Sequence, residues 1–298
     1  MNSIKLNAYA KINLGLDVVR KREDGYHEVR MIMQTIGLYD KVSINRVNNS
    51  SISLSTNLHY LPTDENNLVY KAAALIISEC QIKQGVNIKL EKKIPVSAGM
   101  AGGSTDAATT LFGMNRLFDL NLSREDLMRL ALRLGADVPY CIMRGTALSE
   151  GIGEILTPLP HFPACHVLIV KPAINVSTRY VYENLKLDAQ TKHPDINGII
   201  HQIKQKNLYG ATKLFGNVLE TVTEKEYPII TEIKEKMLLL GSIGSLMSGS
   251  GPTVFGIFDN VNLAEKAFYQ FKISDMGKQV YLTELYQPHY NVFSRILR

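Results

Sequence analysis

The chain has 298 residues, of which 45% are hydrophobic, so it can bury a large core and is long enough for two domains. Its net charge of +5 is spread along the sequence in short basic runs that acids interrupt, which favours small anionic ligands over nucleic acid. No stretch has the roughly 18 consecutive apolar residues of a membrane span, and no signal-peptide pattern opens the chain, so we expect a cytoplasmic protein without a membrane partner.

Metal sites and disulfides are not expected. Cys80, Cys141 and Cys165 are odd in number and far apart, whereas a disulfide framework or a zinc site needs paired cysteines. The histidines lack the i, i+4 spacing of a metal-binding helix. We therefore expect reduced thiols and no metal held by the protein itself.

The first third of the chain is predicted to form a sheet. Apolar and polar residues alternate over residues 6–16, which predicts a half-buried strand. Its apolar face would consist of Leu6, Ala8, Ala10, Ile12, Leu14 and Leu16. Further short strands are expected at residues 42–47, 51–55 and 86–90. A helix is expected to begin after Asn66 or Asn67, because asparagine is a preferred N-cap residue.

Residues 95–108, PVSAGMAGGSTDAA, are the most informative stretch. Gly99, Gly102 and Gly103 can adopt positive φ and carry no Cβ, so several backbone N–H groups can turn toward one point. From Asp106 onward apolar residues recur at helical spacing, so the stretch leads into a helix N-terminus, which favours an anion. The spacing fits neither a Walker loop nor a dinucleotide fingerprint. Phosphate binding is the preferred interpretation, and a tight structural turn is the alternative.

Two charged residues are candidates for chemistry. Lys11 lies two positions before Asn13, so both point to the polar face of the first strand, which a solvated face also explains. Asp137 follows a predicted helix end, and it either caps the turn before Pro139 or acts on a ligand. Phosphoryl transfer to an alcohol needs a group that accepts the hydroxyl proton and a cation that offsets charge, which a carboxylate and a lysine provide together.

The second half of the chain is predicted to form an α+β domain. Glycine and proline are concentrated over residues 150–163, which favours a boundary that divides the chain into domains 1–155 and 156–298. The other predicted elements are a helix capped by Ser123 and Asp126 and ended by Gly135, a strand at residues 166–170, helices over residues 195–240 interrupted near Pro228, strands at residues 243–247 and 253–258, a helix beginning at Asn262 with Glu265 as its capping partner, and a strand at residues 279–286.

Two turns carry polar or aromatic residues. Residues 249–252, GSGP, lie between two predicted strands, and a hairpin connection explains them. Residues 24–27, DGYH, also predict a turn, in which Tyr26 and His27 could stack on and hydrogen-bond a planar ring. Neither turn identifies a function when it is taken alone.

Taken together and in this order, the motifs resemble those of the GHMP kinases, which phosphorylate small molecules such as galactose, homoserine and mevalonate. The resemblance extends over residues 5–258 and rests on AKINL near the N-terminus, the loop at residues 95–108, and MSGSGPT at residues 247–253. The segments AKINLGL, REDGYHEV, LGADVPYC and ALSEGIGEIL are most similar to members that act on a cytidylated methylerythritol. Met100 and Thr105 replace the commoner Leu and Ser, but both keep size and polarity.

The resemblance implies a two-domain α+β fold, with an N-terminal domain of the ribosomal-S5 domain 2 type, a C-terminal α+β domain and the site in the cleft between them. It implies ATP-dependent phosphorylation of the 2-hydroxyl of 4-CDP-2-C-methyl-D-erythritol in the non-mevalonate isoprenoid pathway, with Mg²⁺ arriving on the nucleotide. The alternatives are a GHMP kinase for mevalonate, homoserine or a sugar, against which DGYH argues, and a nucleotide-binding protein without turnover, against which Lys11 and Asp137 argue. No obligatory protein partner is inferred.

The resemblance also assigns roles to individual residues. Asp137 matches the catalytic base, and Lys11 matches the residue that orients it and stabilises charge. The substrate-side matches are Asn13, Tyr26, His27 and Tyr182. Tyr26 and His27 match residues that stack on and read the cytosine, and Tyr182 matches a second aromatic, so the resemblance implies a sandwich around the base. The ATP-side matches are Asn67, toward the adenosine, and the phosphate loop formed by Pro95, Val96, Ser97, Ala98, Gly99, Met100, Ala101, Gly102, Gly103, Ser104 and Thr105.

Overall fold

The structure is a computed structural model that describes residues 1–287. Its strands are β1 (Ser3–Lys21), β2 (His27–Val47), β3 (Ile52–Thr56), β4 (Gly85–Glu91), β5 (Thr146–Glu150), β6 (Ile155–Pro158), β7 (His166–Lys171), β8 (Gly216–Asn217), β9 (Gly244–Met247), β10 (Val254–Phe258) and β11 (Gln279–Glu284). Its helices are α1 (Leu68–Glu79), α2 (Gly102–Leu117), α3 (Arg124–Leu132), α4 (Val138–Met143), α5 (Thr178–Asn184), α6 (Ile196–Lys204), α7 (Leu208–Thr212), α8 (Glu220–Glu226), α9 (Ile229–Leu239) and α10 (Val261–Lys272).

The first sheet has the order β3-β4-β2-β1-β8, with β5 paired to β2 and β6 paired to β5. The pairs β3-β4 and β1-β8 are parallel, and the other pairs are antiparallel. Sequence patterning predicted only residues 42–47 of the long strand β2. Residues 31–36 of this strand are all buried, including the polar Gln34 and Thr35, so the alternation of a half-buried strand is absent.

Strand β1 is buried on both faces where it passes through the middle of the molecule. Residues 10–16 are all buried, so the prediction of a half-buried strand is wrong. The register with β2 shifts after Tyr9. Ala8, before this shift, packs in the apolar cluster that contains α2. Ile12 and Leu14, after it, pack in a second apolar cluster that contains α6. The prediction of one apolar face and one polar face is wrong because helices cover both sides of the sheet.

The helices of the first half follow local capping rules where those rules apply. Asn67 caps α1 as predicted, because its Oδ1 accepts a hydrogen bond from Val69 N at 2.9 Å. Ser123 and Asp126 form the predicted capping box of α3. Helix α2 begins at Gly102, earlier than predicted, because packing of its apolar side against the sheet outweighs the weak helix propensity of its first residues.

The second sheet is antiparallel and has the order β11-β7-β10-β9. It contains the predicted strands at residues 166–170, 243–247 and 253–258, and its last strand ends at Glu284 instead of residue 286. The predicted boundary after residue 155 falls inside β6, which pairs with β5 of the first sheet. The two sheets with their helices confirm the two-domain α+β architecture.

Several elements of the second half depart from the predictions. The helical region at residues 195–240 contains α6 to α9 with β8 between them, and Pro228 precedes α9 as predicted. The cap of α10 is Asn260, whose Oδ1 accepts from Asn262 N and Leu263 N, so the predicted cap at Asn262 with Glu265 is wrong. Sequence patterning did not predict α4, α5, β5, β6 or β8. Among residues 1–287, no helix is both long and apolar enough to cross a membrane.

Candidate active site

A cleft of about 990 Å³ lies between the two halves of the molecule. The first half contributes the middle of β1, the turn between β1 and β2, the loop before α2 and the residues before α4. The second half contributes α5 and the turn between β9 and β10. The motifs at residues 10–14, 24–27, 95–105, 135–137 and 247–253 therefore meet at one cavity, although they are far apart in sequence.

The loop at residues 95–105 wraps around the N-terminus of α2. The angle φ is positive at Ser97, Gly99 and Ala101, with values of 50°, 72° and 53°. Thr105 N donates to Ala101 O at 2.9 Å, and no side chain caps the helix. The N–H groups of residues 102–104 therefore have no acceptor within the helix. Unpaired N–H groups at the positive end of a helix dipole form a binding site for phosphate.

The structure separates the predicted phosphate-loop residues into those that face the cleft and those that support it. The residues that line the cleft are Ser97, Ala98, Gly99, Ala101, Gly102, Gly103 and Ser104. Pro95, Met100 and Thr105 are buried behind the loop, and the backbone oxygen of Met100 accepts from Lys11 N at 3.2 Å. Val96 lines a neighbouring cavity instead.

The turn between β9 and β10 holds this loop in place. Ser248 Oγ donates to Gly99 O at 2.9 Å, and Asn217 Nδ2 donates to Met247 O and Gly249 O at 2.9 and 2.7 Å. A Cβ built on Gly99 would lie only 2.0 Å from Ser248 O, so no larger residue fits there. The GSGP segment is therefore a hairpin connection, as the simpler interpretation predicted, and it also supports the loop.

A second cavity, of about 890 Å³, adjoins the cleft at Ser97. Leu58 and Tyr60, which precede α1, form part of its wall. Asn67 lies at the end of this segment, and its Nδ2 donates to Pro62 O at 2.8 Å while its Oδ1 caps α1. Asn67 thus fixes the segment that forms the wall, and both polar atoms of its side chain are already hydrogen-bonded.

Lys11 and Asn13 are both buried, so the explanation of a solvated strand face is wrong. Lys11 is 5% exposed and lines the cleft, while Asn13 is fully buried. Lys11 Nζ donates to Asn13 Oδ1 at 2.7 Å, and Asn13 Nδ2 contacts Met31 Sδ at 3.2 Å. Asn13 therefore fixes the direction of the Lys11 ammonium toward the cleft.

Asp137 lines the same cleft from the N-cap position of α4. Its carboxylate makes no capping hydrogen bond, so the interpretation of Asp137 as a turn cap is not supported by a side-chain contact. Asp137 and Lys11 both act on the buried thiol of Cys141: burial raises the pKa of this thiol, Asp137 raises it further and Lys11 opposes the rise. Within residues 1–287 no direct hydrogen bond or ion pair joins Lys11 to Asp137.

The aromatic residues predicted to contact a base form one end of the cleft. The rings of His27 and Tyr182 lie 5.0 Å apart at an angle of 42°. A ring inserted between them would need about 7 Å, so the two rings form one wall and not the two sides of a sandwich. Tyr26 also lines the cleft and is 61% exposed. Burial and, after it, the charge of Lys21 lower the pKa of His27, which favours the neutral imidazole.

Sequence reasoning missed several charged residues of the site. Lys92, in the basic run at residues 89–93, has a side chain only 4% exposed, between Asp40 and Asp106. Lys21 and the Arg179–Glu183 ion pair, with Nε and Oε1 2.7 Å apart, line the cleft. No sequence signal distinguishes these residues from ordinary surface charges. Among the described residues, no group of three or more His, Cys, Asp or Glu side chains could hold a metal ion.

Comparison with known proteins gives consistent matches over nearly the whole chain. The model described as GHMP kinases N terminal domain matches residues 67–145, and GHMP kinases C terminal matches residues 184–274. A protein of Lachnoclostridium phytofermentans named 4-diphosphocytidyl-2-C-methyl-D-erythritol kinase is 59% identical, covering 96% of this chain and 99% of its own length. A protein of the same name from Clostridium perfringens is 51% identical, covering 94% and 97%.

Solved structures agree with these matches. A crystal structure of 4-(cytidine 5'-diphospho)-2C-methyl-D-erythritol kinase has a TM-score of 0.83 and 31% identity, covering 96% of this chain and 100% of that one. A homoserine kinase from Cytophaga hutchinsonii has a TM-score of 0.76 at 19% identity, covering 96% and 95%, which shows a shared fold alone. On the two family models and the full-length relatives, the chain belongs to the GHMP kinase family.

Proposed function

We propose that the chain is an ATP-dependent kinase that phosphorylates the 2-hydroxyl of 4-CDP-2-C-methyl-D-erythritol and releases ADP. The observation that carries the proposal is that one cleft contains a phosphate-binding helix N-terminus, a carboxylate with a lysine, and an aromatic wall. The names of relatives that are 59% and 51% identical over nearly the whole chain support the same reaction.

The ATP phosphates lie at the N–H groups of residues 102–104, where the helix dipole stabilises negative charge. The adenosine extends past Ser97 into the second cavity, whose wall Asn67 fixes. This arrangement leaves the γ-phosphate in the main cleft.

Mg²⁺ enters with the nucleotide, because only Asp137 and Glu183 offer carboxylates among the described residues that line the cleft, and Glu183 pairs with Arg179. When bound, the metal would neutralise charge on the phosphates.

Asp137 accepts the proton of the acceptor hydroxyl as the oxygen attacks the γ-phosphorus. The bond between the γ-phosphorus and the bridging oxygen breaks, and its electrons leave with ADP. The Lys11 ammonium stabilises the charge that develops on the transferred group, and Asn13 holds that ammonium in position. Among the described residues no hydrogen bond or ion pair joins Lys11 to Asp137, so both side chains are available to the hydroxyl and the phosphoryl group.

The cytosine of the acceptor packs against the wall formed by His27 and Tyr182. A neutral imidazole carries one donor and one acceptor nitrogen, which suits hydrogen bonding to a pyrimidine edge. Burial and then the charge of Asp137 raise the pKa of Tyr182, so its hydroxyl stays protonated. Tyr26 covers the base from the solvent side, where its ring is exposed. Mevalonate, homoserine and galactose contain no aromatic base and would leave this wall unused.

The test is ADP release by the purified chain with four acceptors: 4-CDP-2-C-methyl-D-erythritol, mevalonate, homoserine and galactose. We expect turnover with the first alone. Turnover with one of the others would transfer the assignment to a different GHMP kinase, and ATP binding without turnover on any acceptor would support a binding protein on this fold.

We also propose that the boundary between the domains lies between Pro158 and His166. Strand β6 belongs to the first sheet by its pairing with β5, and β7 opens the second sheet. Limited proteolysis that cuts first between Pro158 and His166 would support the boundary, and a first cut inside β6 would contradict it.

Cytoplasmic location and the lack of an obligatory protein partner stay predictions.

A further inference from the structure

A buried cluster of three charged side chains lies behind the phosphate loop. Lys92 Nζ donates to Asp40 Oδ2 and, at 2.6 Å, to Asp106 Oδ2. The side chains of Lys92, Asp40 and Asp106 are 4%, 0% and 2% exposed, respectively. Taking charges out of water costs free energy, so a cluster of this kind is explained either by attraction between its charges that offsets the cost or by a function.

The cluster connects both ends of the phosphate loop to the sheet. Asp40 lies on β2, and its Oδ1 accepts from the backbone N–H groups of Lys93 and Ile94, immediately before the loop. Asp106 lies on α2, immediately after the loop. One ammonium therefore joins the two chain segments that enclose residues 95–105.

The same ammonium lies close to Gly102, the first residue of α2. A Cβ built on Gly102 would lie 3.2 Å from Lys92 Nζ. Burial and the neighbouring Asp40 carboxylate raise the pKa of Asp106 well above its usual range, although Lys92 opposes the rise. The cluster has one ammonium and two carboxyl groups, so it carries no net positive charge to attract phosphate whether or not Asp106 is ionised. Lys92 also lines the second cavity, but its ammonium is bound to both carboxyl groups, so its effect on ATP is expected to come through geometry.

We propose that Lys92, bound to Asp40 and Asp106, is a positioning residue that holds the phosphate loop and the first turn of α2 in their ATP-binding arrangement. This inference rests on the proposed ATP-dependent function. The positioning role of Lys92 differs from a purely structural role because it predicts an effect on ATP binding that is separate from the effect on stability. A buried ion pair replaced by neutral groups often leaves stability unchanged, but neutral groups would not hold the two ends of the loop together.

The test uses a single and a double variant. Lys92→Met leaves the Asp40 carboxylate buried without its partner and is expected to unfold at lower urea concentration. The double variant Asp40→Asn with Lys92→Met removes both charges and keeps an oxygen that accepts from Lys93 N and Ile94 N. We expect it to regain much of the lost stability and to bind a non-hydrolysable ATP analogue about tenfold or more weakly than the wild type, because the loop is no longer preorganised.

A matched control comes from the second domain. Lys234 also lies between two carboxylates, with Nζ 2.7 Å from Glu220 Oε2 and 2.6 Å from Glu224 Oε1. Lys234→Met is expected to lower stability without changing nucleotide affinity. Calorimetric titration of each folded variant with the ATP analogue, and separately with the cytidylated acceptor, gives the two affinities. We expect acceptor affinity to be unchanged in the double variant.

The possible outcomes separate the two proposals. A double variant that binds the ATP analogue as tightly as the wild type would overturn the positioning role and leave the proposed function intact. Equal losses of nucleotide and acceptor affinity would also overturn it, since they indicate general disorder of the cleft. A wild type that does not bind the ATP analogue would overturn both proposals.

Discussion

The contact between the phosphate loop and the β9–β10 turn makes Gly99→Ala the most informative single substitution. The new Cβ would lie 2.0 Å from Ser248 O and 3.3 Å from Gly251 O, while real contacts of a Cβ essentially never fall below 3.0 Å. The loop and the turn must therefore separate by about 1 Å, which is the size of shift that costs about 100-fold in rate when reacting groups are displaced. Both segments line the cleft, so the separation acts on bound ATP.

The magnitude of the stability loss follows from the same geometry. Gly99 has φ of 72°, a region that costs an alanine about 1–2 kcal/mol, and overpacking against a backbone oxygen adds about 1–3 kcal/mol. We expect a loss of about 2–5 kcal/mol in the free energy of unfolding. Urea denaturation measures this loss, and steady-state kinetics with ATP as the varied substrate measures the effect on the site.

Gly241→Ala is the matched control for backbone strain. Gly241 has φ of 96° and follows α9 outside the cleft, and the atom nearest to its built Cβ is the flexible end of Leu263, at 3.0 Å. We expect a loss of about 1–2 kcal/mol from strain, with unchanged kinetics. The reasoning is refuted if Gly99→Ala keeps the wild-type KM for ATP and the wild-type kcat and loses no more stability than Gly241→Ala.

The remaining predictions concern the chemistry and the acceptor. Asp137→Asn should lower kcat about 100-fold or more while leaving ATP affinity nearly unchanged; unchanged turnover would remove Asp137 from the role of base. Lys11→Met should lower kcat by a similar factor and keep the fold, because no carboxylate within residues 1–287 pairs with Lys11; normal kinetics would contradict its role. His27→Ala should raise the KM for the cytidylated acceptor about tenfold and spare the KM for ATP; equal effects on both substrates would remove the cytosine wall. Burial and the charge of Lys21 keep the pKa of His27 below its usual 6.5, so the acceptor KM should rise only as the pH falls below that value. Lys21→Met removes the neighbouring positive charge and should move this rise to higher pH. An NMR titration of His27 that is identical in the wild type and in Lys21→Met would contradict the argument.

Features set by local chemistry could be predicted from the sequence. The caps at Asn67 and Ser123 depend on side chains that bond within three residues of themselves, and both are found as predicted. A tight loop at residues 95–105 could be predicted because glycine permits positive φ and close approach. Its phosphate ligand stays a prediction. The positive φ at Ser97 and Ala101 could not be predicted, since neither residue is typical of that conformation.

Features that depend on distant packing could not be predicted. The alternation in β1 suggests one solvated face. Only the packing on both sides of the sheet, in the cluster that contains α2 and in the cluster that contains α6, shows that Lys11 and Asn13 are buried. Lys92 and Asp40 are 52 residues apart in sequence, so nothing local marks their contact. The sequence predicts a turn before Pro139, whereas Pro139 lies in the first turn of α4, where proline is tolerated. Asp137 consequently lies at a helix N-terminus, although only its place after the preceding helix was expected.

The most direct test of the central claim is identification of the product by phosphorus NMR. The wild-type chain, ATP, Mg²⁺ and 4-CDP-2-C-methyl-D-erythritol are incubated together, and the ADP formed is quantified in the same sample. We predict one new phosphomonoester signal, on the oxygen of carbon 2, in a one-to-one ratio with ADP. ADP without a phosphorylated acceptor, or a phosphoryl group on a different hydroxyl, would contradict the proposed reaction.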